Sequence, residues 1–154
     1  MPVLAISHRR GLRQGDPLSS QLFVLAVDSL GRLFRQAIEP HVLHQLHPHR
    51  AIPVVSLYAE DVILFGHPTS EEVLAVKEIL QLFGRVSGLQ VNFQKSTATM
   101  ILCDTDEAGP IVEHLGCPIV ELPNTYLGIP LTFRRPTAAQ LQPVVDKAAC
   151  KLPT

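Results

Sequence analysis

Residues 54–65 read VVSLYAEDVILF: an apolar run, two adjacent carboxylates, then a second apolar run. Each run has the length and composition of a strand, and Tyr58-Ala59-Glu60-Asp61 supplies a tight turn between them. Strands are therefore expected at Val54–Tyr58 and Asp61–Phe65, antiparallel, with Glu60 and Asp61 at the tip. Two carboxylates at the end of a buried hairpin are costly without a cation between them, and Mg²⁺ is the usual cation in such a place. An acidic β-turn facing water is the other reading of the same four residues.

The flanking sequence places this hairpin among helices. Asp16-Pro17 opens a helix, because proline is tolerated in a first turn. Leu22, Phe23, Ala26, Leu30, Leu33 and Phe34 then recur at helical spacing to about Ile38. Residues 40–53 carry no clear period and read as a connection. Thr69-Ser70-Glu71-Glu72 is a capping-box start, followed by an apolar stripe of Val73, Leu74, Val76, Ile79, Leu80, Phe83 and Val86. Gly88 is placed to end that helix. Leu89, Val91 and Phe93 alternate as a short strand, and residues 97–102 read as another. A short helix is expected over 106–115 with Gly116 closing it, and a strand at Tyr126-Leu127-Gly128. Thr137 caps a last helical stretch that Pro143 splits in two. The expected fold is α/β (α+β), an antiparallel sheet with helices packed on one face.

Four segments occur in order: GLRQGDPLSSQLFVLAVDSL (11–30), YAED (58–61), SGLQVNFQKS (87–96) and TYLGIPL (125–131). Together they resemble the palm of reverse transcriptases from plant non-LTR (LINE-type) retrotransposons, over roughly residues 9–154. The resemblance implies an RNA-directed DNA polymerase, a nucleotidyltransferase working with Mg²⁺ by the two-metal route. Its partners would be an RNA template and a DNA primer, and its location the nucleus. Under the resemblance Glu60 and Asp61 are catalytic and metal-binding, and Lys95 is a proton donor near the leaving pyrophosphate. Arg13, Gln14 and Gly15 would lie beside the incoming nucleotide and template, and Tyr126-Leu127-Gly128 would form the primer grip. Structural readings stand beside these: a glycine turn before a helix cap, a solvated lysine, and a buried aromatic followed by a glycine for close backbone approach.

The chain departs from the family's pattern in two ways. The family tetrapeptide is most often Tyr-Ala-Asp-Asp, and Glu60 stands where its first, essential Asp belongs. One more methylene moves the carboxylate by up to about 1.5 Å. Mg²⁺ demands octahedral oxygens at about 2.0–2.1 Å, and a misplacement of about 1 Å costs on the order of 100-fold in rate. The family also carries an earlier strand with another metal-binding Asp, fingers before it and a thumb after it. Residues 1–10, MPVLAISHRR, hold no acidic side chain. The expectation is a partial palm over 1–154, inactive alone and able to associate with the missing polymerase segments. A non-catalytic remnant binding nucleic acid or protein, and a degraded product without function, are the alternatives.

Composition limits these readings. A chain of 154 residues with 46% apolar and 18% charged side chains is expected to fold, as one domain. A net charge of −1 is poor for a stand-alone nucleic-acid binder, which needs cations against phosphates. Basic residues do cluster locally at Arg9-Arg10-Arg13 and Arg134-Arg135. No apolar run is long enough to span a bilayer and no signal peptide is evident, so an intracellular, soluble protein is expected. Cys103, Cys117 and Cys150 are odd in number and lack CxxC spacing, which points to free thiols. His41, His44, His47 and His49 lack a cysteine pair and a helical frame, so they read as a surface connection rather than a zinc site. Asp28 is expected on the solvated side of the first helix.

Overall fold

In the computed structural model, residues 15–47 and 53–151 are described. The chain divides into two compact units, Met1–Asn92 and Phe93–Thr154. The first unit contains helix α1 (Pro17–Ile38), strands β1 (Val55–Tyr58) and β2 (Asp61–Leu64), and helix α2 (Ser70–Ser87). The second contains helix α3 (Thr105–Glu113), strands β3 (Asn124–Tyr126) and β4 (Ile129–Leu131), and helix α4 (Ala138–Ala149). Helices with small antiparallel sheets make this a mixed α/β fold, as the periodicities predict.

The caps of the first unit follow from its sequence. Gly15, with φ of 85°, turns the chain into α1, and the Asp16 carboxylate accepts the Leu18 N–H at 2.8 Å. At the start of α2 the Thr69 hydroxyl accepts the Glu72 N–H at 3.3 Å. The other half of the expected capping box is not made: the Thr69 N–H bonds His67 O at 2.8 Å, and the Glu72 carboxylate turns elsewhere. Gly88 ends α2 as expected, left-handed at φ 76°, with its N–H on Gly84 O.

The core of this unit lies where α1 packs against β1 and α2. Leu30 and Phe34 of α1, Leu43, Val54, and Val73, Leu80 and Phe83 of α2 are all buried. Each fully buried side chain of this size contributes about 1.5–3 kcal/mol. Only the second half of α1 takes part. Leu18, Leu22 and Leu25, one stripe at i, i+4, i+7, are 57%, 42% and 67% exposed. Asp28 is not merely solvated: it pairs with Arg32 at 2.9 Å and lies 3.7 Å from Arg35.

In the second unit Asp104 caps α3 by accepting the Asp106 N–H at 2.9 Å, and Gly116 closes it at φ 81°. Ala108 and Val112 are its buried apolar residues. Three expectations fail here. Residues 89–93 belong to neither two-stranded sheet and lead into a turn over 93–95. Residues 97–102 make a single parallel bridge, Ala98 to Ile119, and Leu102 at φ 55° leaves the extended conformation altogether. Pro143 does not split the last helix. The Thr137–Gln140 capping box nucleates the helix upstream of it, and proline's fixed φ is already helical, so one lost hydrogen bond is absorbed. α4 packs against β4. No helix among the described residues is long and apolar enough to cross a membrane.

Candidate functional site

The acidic residues sit at the end of a regular antiparallel ladder. Val55 pairs with Leu64, Ser56 with Ile63, Leu57 with Val62, and Tyr58 with Asp61. A bond from Phe65 N–H to Val54 O at 2.8 Å extends the ladder at its base. Ala59 and Glu60 are therefore the two residues of a tight turn. Ala59 has φ of 49° while Glu60 is not left-handed, the pattern of a type II′ turn, which matches the twist of a hairpin but favours glycine at its first position. An alanine there costs on the order of 1 kcal/mol of strain.

Directly opposed residues share a face of a sheet. Leu57 meets α1 at Gly31, so Val55, Leu57, Val62 and Leu64 face the helix. Tyr58 and Asp61 share the opposite face, with Glu60 beside them on the turn. The tip is not buried, as in the reading of an acidic β-turn facing water. Tyr58 is 62% exposed, and Ala59, Glu60 and Asp61 are exposed as well. The cost of burial therefore gives no argument for a cation here. What remains is the donor set: two carboxylates of the kind that hold Mg²⁺ in company with waters and substrate phosphates. They fit part of a coordination shell. Among the described residues no set of three or more His, Cys, Asp and Glu could hold a metal ion.

The other expected site residues are placed as follows. Gly15 is exposed and left-handed beside the α1 cap, while Arg13 and Gln14 lie outside the described residues. Lys95 is exposed in a turn over 93–95 of the second unit, not at a strand end. Tyr126-Leu127-Gly128 is not a strand. Tyr126 ends β3 and pairs with Ile129, so Leu127 and Gly128 form the turn, left-handed at φ 52° and 79°. Two positive φ values mark a type I′ turn, for which Gly128 is the usual kind of residue and Leu127 is not; a turn here is what the resemblance implied, while the strand reading fails. His41 and His44 are exposed and stack with ring centroids 6.2 Å apart, and His49 lies outside the described residues. The three cysteines are free. Burial pushes the Cys117 thiol up, against a smaller lowering by a backbone hydrogen bond, which keeps it protonated at neutral pH.

One residue that sequence reasoning treated as a local cap has a larger part. Glu72 is 3% exposed and joins three hydrogen bonds to His44 and His67. The cue was available: Glu72 precedes Val76, Leu80 and Phe83 at i+4, i+8 and i+11, on the buried stripe of its helix. In the second unit the Tyr126 hydroxyl is buried and has no hydrogen-bond partner among the described residues. An unpaired buried hydroxyl costs about 1–3 kcal/mol. Tyr126→Phe should therefore raise stability by about 1 kcal/mol, seen as a higher urea midpoint at unchanged m value. A lower midpoint would show that the hydroxyl is bonded.

Residues 5–131 match the family described as reverse transcriptase (RNA-dependent DNA polymerase). The Transposon TX1 uncharacterized 149 kDa protein of Xenopus laevis is 34% identical over 91 residues, which cover 59% of this chain and 7% of that protein. The chain thus matches only a small part of that relative's length. No solved structure matches. With the acidic hairpin inside the matched span and the match extending over most of the sequence, the chain belongs to the reverse transcriptase family.

Proposed function

We propose that the chain is part of the catalytic palm of a non-LTR (LINE-type) retrotransposon reverse transcriptase of the plant type, acting in the nucleus on an RNA template and a DNA primer. The observation that carries this reading is the hairpin itself, with Asp61 paired to Tyr58 and Glu60 on the turn, inside the span that matches the family. Asp61 and Glu60 would hold Mg²⁺, which when bound supplies charge neutralisation at the phosphates for nucleotidyl transfer. Lys95 would donate a proton to the leaving pyrophosphate. Arg13, Gln14 and Gly15 would border nucleotide and template, and Tyr126, Leu127 and Gly128 would grip the primer. The exposed stripe of Leu18, Leu22 and Leu25 supports association with other segments of a polymerase.

The 154-residue chain alone does not polymerise in this reading, because Glu60 is one methylene longer than the family's Asp and, with Asp61, supplies only part of a coordination shell. Two measurements on the purified chain test it. Mn²⁺, standing in for Mg²⁺, should broaden the amide resonances of residues 59–62, and Asp61→Asn should abolish the effect. Broadening elsewhere, or none, removes the metal site. Primer extension with template, dNTPs and Mg²⁺ should give no incorporation above background. Synthesis that Asp61→Ala abolishes would overturn the inactivity.

A further inference from the structure

We infer that Glu72 is a positioning residue for the acidic turn: a single buried carboxylate that ties the segment after α1 to the loop leaving β2. The inference rests on the reading of Glu60 and Asp61 as metal ligands.

The two carboxylate oxygens are divided between the segment that follows α1 and the loop that leaves β2. Oε1 accepts the His44 N–H at 3.2 Å and lies 2.8 Å from the His44 ring Nδ1, and Oε2 accepts the His67 N–H at 3.0 Å. His44 precedes β1 in the chain, and His67 follows β2. A two-stranded hairpin is marginal by itself, so its aim depends on what holds its ends. Hydrogen bonds to a carboxylate are the strong kind, and a carboxylate this deeply buried is tolerated only when bonded in this way. The local alternative is not used, since the Thr69 N–H that a capping box would offer is taken by His67 O. Gly66 keeps the approach open: a Cβ there would stand 3.2 Å from Glu72 Oε2. A glycine at 66 and a buried glutamate at 72 thus form one device. It anchors the β2 side of the hairpin's base while leaving the tip exposed, and the tip is where an error of about 1 Å in a metal ligand costs most.

The test uses the whole chain with Glu72→Ala, Glu72→Gln and Gly66→Ala. Amide hydrogen exchange is followed across residues 55–64, with residues 80–84 of α2 as the internal reference. In Glu72→Ala the hairpin amides should exchange about 10- to 100-fold faster while the reference amides hold. Glu72→Gln keeps one acceptor oxygen and should fall between. Gly66→Ala crowds the same oxygen from the loop side and should loosen the hairpin likewise. Should Glu72→Ala fail to fold, the other two variants carry the comparison. Mn²⁺ affinity at the tip, read from amide broadening, should drop about 10-fold with Glu72→Ala.

Unchanged hairpin exchange, or an equal rise throughout the unit, overturns the inference. So does a loosened hairpin with undiminished Mn²⁺ affinity. If wild type shows no Mn²⁺ effect at all, the metal reading fails, and the exchange data alone decide whether Glu72 clamps the hairpin.

Discussion

Phe34→Ala should destabilise the first unit by about 3–5 kcal/mol, the usual cost of truncating a fully enclosed aromatic. Phe34 is 0% exposed on the second half of α1, where the helix meets β1 and α2. It is buried in the same unit as Leu30, Leu43 and the apolar stripe of α2, which come from elements that cannot all collapse into a gap. The transfer and cavity penalties therefore both apply. Leu25→Ala is the matched control, on the same helix at 67% exposure, and should stay within about 0.5 kcal/mol. Urea denaturation of the two variants reads the contrast. A penalty for Phe34→Ala below about 1.5 kcal/mol would mean that α1 does not close this core.

The parts of this fold that could be read from sequence are those fixed by local chemistry. Asp16-Pro17, Thr69 and Gly88 define helix ends because their side-chain or backbone preferences act within one turn. The hairpin was legible for a similar reason: two apolar runs a turn apart have few other ways to bury themselves. Features that depend on distant partners were not. Leu89, Val91 and Phe93 alternate like a strand, yet alternation cannot supply a neighbour to pair with. The exposure of Glu60 and Asp61 depends on what covers the hairpin tip, which their own sequence does not encode. Tyr126-Leu127-Gly128 was misread because its turn puts a leucine where asparagine or glycine is the usual cue. Both motif turns hold a non-glycine residue in the left-handed region, Ala59 and Leu127, as do His41 and Leu102 elsewhere. That strain is a backbone property, invisible until the register is known. Glu72 was the reverse case: its place on the buried stripe was in the sequence, but the capping-box pattern gave a sufficient local explanation.

Gly31→Leu should cost about 1–3 kcal/mol through overpacking, although leucine is far the better helix former. Gly31 is buried in the middle of α1, and a Cβ built there would stand 3.1 Å from Leu57 Cδ1 of β1 and 3.4 Å from Arg35 Nη1. Both neighbours are ends of flexible side chains, so a single methyl can be admitted with small shifts. Gly31→Ala should accordingly be near neutral, a gain of up to about 1 kcal/mol in helix propensity set against the crowding. Leucine adds three more carbons with nowhere to go, and the helix must move off the strand or Leu57 must leave its rotamer. The double variant Gly31→Leu/Leu57→Ala separates these effects by returning volume at the contact. It should be more stable than the sum of the single costs predicts by about 1 kcal/mol, the coupling expected of residues in direct contact. Strict additivity would show that the two positions do not touch. Leu57 adjoins Tyr58, which pairs with Asp61 at the end of β1. A wider α1–β1 spacing in Gly31→Leu should therefore appear as amide shifts at Tyr58 and Asp61 that the Gly31→Ala variant lacks.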